Sequence, residues 1–119
     1  MKNVGQNIEA ENANWGFGGE VVNNFENHIR QSVPLYDTGH DLIVKLSDYF
    51  IKNDSISYEI GSSTGILSSK LAKHNAKKNA RFIGIEIEED MYKKAISTYK
   101  SKNLEFLCDD VLHFDYEKS

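Results

Sequence analysis

The chain has 119 residues, 39% of them hydrophobic and 27% charged, and a formal net charge of -4. That length and balance predict one soluble globular domain with one modest core, and they give no global electrostatic attraction to nucleic acid. The single cysteine, Cys108, excludes an internal disulfide, and neither a signal-like start nor an apolar run long enough for a bilayer is present, which points to a reduced, cytoplasmic setting without membrane attachment.

Residues 1–19 mix Asn, Glu and clustered glycines without apolar periodicity, and are expected to form a flexible N-terminal arm. Trp15 and Phe17 within it are expected to dock on the flank of the domain, with a lid as the sharper alternative. Residues 20–53 read as a helical segment. Val21, Val22, Phe25 and Ile29 recur at helical spacing until Ser32-Val33-Pro34 stops the run, and Leu42, Ile43, Leu46, Tyr49 and Phe50 mark a second, amphipathic helix ending near Asn53. From residue 54 to 119 strand and helix signals alternate. ISYEI is a short strand, and TGILSSKLAKHN carries Ile66, Leu67 and Leu71 on one helical face. ARFIGIEI is a nearly continuous apolar strand, EEDMYKKAISTYKSK a helix with Met91, Ala95 and Ile96 facing inward, and NLEFLCDDV a third strand. The β-α-β-α-β order predicts an α/β fold with a Rossmann-like parallel sheet, preceded by two helices. Cys108 has no base to pair with and is expected as a small buried hydrophobe.

Ligands of such sheets bind beyond the carboxyl ends of the strands. Three successive strand ends carry acids here: Glu59 with Gly61, then Glu86, then Asp109-Asp110. Gly61 lets the backbone turn tightly beside a ligand, Gly65 permits close approach where the next helix starts, and Glu86 is placed to accept hydrogen bonds from both hydroxyls of a ribose. The turn Gly61-Ser62-Ser63-Thr64-Gly65 departs from the dinucleotide fingerprint G-x-G-x-x-G, because Ser63 occupies the middle glycine's place, and no Gly-Lys-Ser/Thr follows to make a phosphate loop. Glu59 argues the same way: its charge would repel a pyrophosphate and suit an ammonium or a sulfonium. S-adenosylmethionine carries both.

YEIGSSTG, GIEIEEDM and LEFLCDDV resemble the first, second and third nucleoside-binding motifs of class I, Rossmann-like SAM-dependent methyltransferases over about residues 56–112. The stretch FENHIRQSVPLYDTGHDLIVKLSDYF is similar to the N-terminal segment of the subgroup that includes the carboxy-SAM synthase of tRNA modification. The resemblance implies that Tyr36 lies over the cofactor and that Glu59 and Gly61, with Ser62 and Ser63, border its methionine portion. It further implies that Glu86 binds the ribose, that Asp109, Asp110 and Val111 meet the adenine, and that Ile87 and Val111 wall the ring. S-adenosylhomocysteine is the implied product. Serine at position 63 fits the turn provided its backbone angles stay ordinary.

Each acid also has a plain structural explanation: Glu59 as a helix cap, Glu86 in an ion pair with lysine, Asp109-Asp110 as the start of a turn. The four histidines lack metal-ligand spacing, and Lys70, Lys73, Lys77, Lys78 and Arg81 read as a solvated helix face, with contact to RNA or DNA as the alternative. The fold is expected to be incomplete after the third strand, so that the chain is the cofactor-binding part of a longer enzyme and unpaired sheet edges invite self-association. The methyl acceptor, a small molecule or RNA, is not identified by any motif, nor is a catalytic base. A non-catalytic SAM-binding or assembly module is the alternative from another class.

Overall fold

The structure is a computed structural model in which residues 10–11, 14–15 and 20–117 are described. Two short strands, β1 (Ala10–Glu11) and β2 (Asn14–Trp15), pair antiparallel within the segment expected to lack regular structure. Phe17 and the side chain of Trp15 lie outside the described residues.

Helix α1 (Glu20–Ser32) ends where Pro34 makes its continuation unfavourable, and α2 (Tyr36–Phe50) follows after one left-handed residue, Leu35, with φ of 59°. No side chain caps the start of α2. Its first turn is fixed instead by a two-pronged contact from α1: Arg30 donates from Nε to Asp37 Oδ2 at 2.9 Å and from Nη2 to Asp37 Oδ1 at 3.2 Å. Both side chains are exposed, so the pair adds little stability.

The rest of the chain alternates strictly: β3 (Ile56–Ile60), α3 (Ile66–His74), β4 (Arg81–Glu86), α4 (Glu89–Thr98) and β5 (Leu104–Cys108). The three strands form a parallel sheet in the order β3-β4-β5, with Ile60 opposite Ile85 and Glu86 opposite Cys108. Central β4 is buried from Phe82 to Glu86, as expected of a strand paired on both sides and covered on both faces. One core cluster joins Val22 and Phe25 of α1 to Met91 of α4; another joins Ala72, Ala80 and Phe82. Between α2 and α3, the buried Asn75 donates to Ser47 Oγ at 3.0 Å. Gly65 has φ of +89°, and a Cβ there would stand 2.6 Å from the Phe106 ring, so its close approach is to β5.

Two expectations about packing need correction, and one helix face is left uncovered. Ile96 is exposed on α4, where Met91 and Ala95 make the inward stripe, because one residue past Ala95 the helix has rotated by about 100° away from that face. Cys108 is exposed at the end of edge strand β5. The apolar set of α2 forms a helix as the spacing predicts, yet Leu42, Ile43, Leu46, Tyr49 and Phe50 are all exposed, and α2 meets α3 through Ser47. Among the described residues no helix is long and apolar enough to cross a membrane.

Candidate functional site

The turn after β3 is tied to the end of β4 rather than to itself. Gly61 and Ser62 donate their backbone N–H groups to the carbonyl of Ile85 at 2.8 and 3.1 Å, and Ser63 donates its own to Glu86 Oε2 at 2.7 Å. The other oxygen of the same carboxylate accepts the N–H of Glu88 at 3.1 Å. Glu86, only 8% exposed, therefore ties this turn to the start of α4. A lysine is not its partner. Each oxygen keeps a second lone pair for a ligand.

Above this frame lie two adjoining clefts that share Phe25, Ile29, Gly61 and Ser63. The larger, about 320 Å³, adds Tyr36, His40, Glu59, Ser62 and Thr64; the smaller, about 300 Å³, adds Glu86 and Met91. Gly61 sits where they meet. Its φ is +72°, and nothing lies within 4 Å of where a Cβ would be, so a side chain would enter open cleft. Helix α1 supplies the facing wall, with Glu26 accepting from Thr64 Oγ1 at 3.3 Å.

Ser63 departs from the expectation of ordinary backbone angles. Its φ is 52°, in the left-handed region, while its N–H donates to Glu86. A non-glycine residue held there costs on the order of 1 kcal/mol. Ser63→Gly is therefore expected to leave thermal stability unchanged or raise it slightly, since relief of strain offsets the added freedom of the unfolded chain. A melting temperature lowered by more than about 5 °C would show that the Ser63 side chain itself holds the turn.

Glu59 does not cap α3; Gly65 stands at that position without a side-chain bond. Its Oε2 accepts a 3.3 Å hydrogen bond from Ser68 Oγ. Burial, with Glu86 as a weaker second cause, raises its pKa to about 7, against the partly opposing bond from Ser68. The folded chain thus holds a proton on Glu59 between pH 4.5 and about 7 that the unfolded chain has released. Stability from this group is complete below pH 4.5 and is lost as pH rises through 7, by about 3 kcal/mol at most. Glu59→Gln should accordingly raise the melting temperature at pH 8 and leave it unchanged at pH 4. Equal effects at both values would mean that the carboxyl is solvated.

At the edge of the larger cleft the Tyr36 and His40 rings stand 4.3 Å apart between centroids, tilted by 52°. Burial raises the tyrosine pKa and lowers that of the histidine. Ser62 Oγ and His40 Nδ1 are buried and have no hydrogen-bond partner. The structure thus brings Tyr36, Glu59, Gly61, Ser62, Ser63 and Glu86 around two joined clefts, while Gly65 packs behind them. Ile87, Asp109, Asp110 and Val111 lie outside the lining of both. The two aspartates form a turn: Asp109 Oδ1 accepts from the N–H of Asp110 at 2.7 Å, and Asp110 Oδ1 from that of Leu112 at 2.9 Å. Sequence reasoning missed His40 and the lining role of Phe25 and Ile29. Position 40 was legible from its spacing, four residues after Tyr36 on one helical face.

Residues 53–116 match a family model described as "Putative methyltransferase". The carboxy-S-adenosyl-L-methionine synthase of Staphylococcus epidermidis is 32% identical over 103 residues, covering 86% of this chain and 45% of the relative. That of Helicobacter hepaticus is 32% identical over 111 residues, covering 84% and 44%. The chain spans about half the length of the curated relatives it matches. Among solved structures, the plantazolicin methyltransferase BpumL, in complex with a monoazolic desmethylPZN analog and SAH, superposes with a TM-score of 0.57 at 17% identity, over 82% of this chain and 37% of that one. A protein from the complex between the Haloferax volcanii Trm112 methyltransferase activator and a methyltransferase gives a TM-score of 0.52 at 17% identity, over 78% of this chain and 40% of that one. At those identities the likeness is one of fold.

Proposed function

The chain belongs to the methyltransferase family whose model matches residues 53–116, and from that premise we propose that it is the cofactor-binding part of an S-adenosylmethionine-dependent methyltransferase. The observation that carries this reading is the open backbone at Gly61 between two acids, Glu59 and Glu86, on successive strand ends. The donor set fits the cofactor. A carboxyl at one end of the groove suits an ammonium or sulfonium, a buried carboxylate at the other suits two ribose hydroxyls, and the apolar Phe25, Ile29 and Met91 suit the body between them.

In this proposal Glu86 takes the ribose, Gly61, Ser62 and Ser63 present backbone to the methionine end, and Tyr36 closes over it. Ile87, Asp109, Asp110 and Val111 are assigned to the adenine; the 65% exposed Ile87 has a face free to take a ring. S-adenosylmethionine supplies an activated methyl group, and S-adenosylhomocysteine is the product. The chain's own contribution is orientation, which aligns an attacking atom with the methyl–sulfur bond. The acceptor is a small molecule or RNA. A reducing compartment such as the cytoplasm is part of the same proposal, supported by the lone, exposed thiol of Cys108. Self-association through the open edges of β3 and β5 is a further part, supported by the sheet order.

A titration tests the assignment: S-adenosylmethionine or S-adenosylhomocysteine should bind in preference to NAD or ATP, and tighter NAD binding would overturn it. Affinity for the cationic cofactor should also rise as pH passes upward through about 7, since ionised Glu59 is the form that attracts it. A second reading, formation of carboxy-S-adenosyl-L-methionine, is favoured by the names of the 32% identical relatives. The mass of the nucleoside that co-purifies with the full-length protein distinguishes the two.

A further inference from the structure

The larger cleft contains a titratable ring that cofactor binding does not require. His40 is on the first turns of α2, one helical turn after Tyr36, and Arg30 of α1 bonds Asp37 in that same stretch. Its ring packs on Tyr36 at 4.3 Å and lines the same cleft as Glu59 and Gly61. Nδ1 is buried without a partner. With Nδ1 sealed from solvent, the ring meets the cleft through its remaining edge.

Resting on the methyl-transfer reading, we propose that His40 is the proton acceptor of the reaction, and that the acceptor substrate is accordingly a protic nucleophile, an amine or a hydroxyl. As the nucleophile's lone pair forms its bond to the methyl carbon, the carbon–sulfur bond breaks and its electron pair stays on sulfur, leaving a neutral thioether. The proton of the nucleophile passes to a ring nitrogen of His40 and from there to water. Charge balances, with one sulfonium consumed and one imidazolium formed.

The charged groups around the ring keep it ready for that step. Asp37 and Asp41 on its own helix favour the protonated form, and Lys70 of α3 and Arg30 of α1 oppose it. Burial outweighs them all and lowers the pKa, so the imidazole is neutral, and able to take a proton, at neutral pH. Tyr36 acts here as a positioning residue through its contact with the ring.

Nuclear magnetic resonance of the histidine-labelled protein tests the inference without knowledge of the acceptor. The pKa of His40 is measured for the protein alone, with S-adenosylhomocysteine and with S-adenosylmethionine. A ring facing the sulfonium should titrate about half a unit or more lower with S-adenosylmethionine than with the uncharged thioether. Equal values in the two complexes, with the Gly61 and Ser63 amide signals shifted by both, would overturn the role of His40 and leave cofactor binding intact. Amide signals unmoved by either compound would overturn the cofactor assignment, and this inference with it. In a second arm, His40→Asn should bind S-adenosylmethionine within about twofold of the parent, because a proton acceptor acts on the nucleophile and not on the cofactor. A folded variant that has lost binding would make His40 a cofactor-binding residue instead.

Discussion

Gly61→Val is expected to abolish S-adenosylmethionine binding while leaving a folded protein. Two effects add. At φ of +72° a β-branched residue is strained by about 1 to 2 kcal/mol, and its side chain projects into space where nothing lies within 4 Å, which is the space assigned to the ligand. The helix that follows starts only at Ile66, and the sheet register does not depend on a side chain at position 61. Affinity should therefore drop at least about a hundredfold, with a fall in melting temperature of only several degrees. Calorimetric titration and thermal melts on the same preparation check both parts. Normal binding by the folded variant would remove the turn from the cofactor site.

Glu86→Ala should do two kinds of damage at once. Lost hydrogen bonds to the ribose, at about 1.5 to 3 kcal/mol for bonds to a charged group, weaken binding about tenfold or more. The same change strips the acceptor from the N–H groups of Ser63 and Glu88, both part-buried bonds, so stability should fall by about 2 kcal/mol or more. At one fixed concentration S-adenosylmethionine should stabilise the variant less than the parent protein, because ligand stabilisation grows with the logarithm of the ratio of ligand concentration to Kd. Unchanged affinity in a folded Glu86→Ala protein would show that the carboxylate serves the turn alone.

The strands and helices of residues 54–108 were legible because their apolar periods are unambiguous: ISYEI and RFIGIE alternate or run continuously, and Met91 and Ala95 keep helical spacing. The strand-end acids were legible for the same reason, since a strand end fixes where a ligand can lie. Other features depended on partners distant in sequence. The left-handed Ser63 could not be read locally, as its turn is fastened to a carboxylate 23 residues later. Nor could Gly84 be seen as a packing residue, although Ser62 and Phe106 crowd the place of its missing Cβ at 2.8 and 2.7 Å. Ile96 and the stripe on α2 show the converse. Periodicity states which face is apolar, and only the neighbouring elements decide whether that face is covered.

The fastening of the turn to the end of β4 also fixes when, during synthesis, the site can come into being. A loop closed by its own residues could assume its shape as soon as it left the ribosome. Here the carbonyl of Ile85 and the carboxylate of Glu86 must first emerge and β4 must pair with β3, so the segment around Gly61 waits, unshaped, for more than twenty residues of later chain. A nascent chain halted before β4 would display the whole glycine motif without the two acceptors that fasten it.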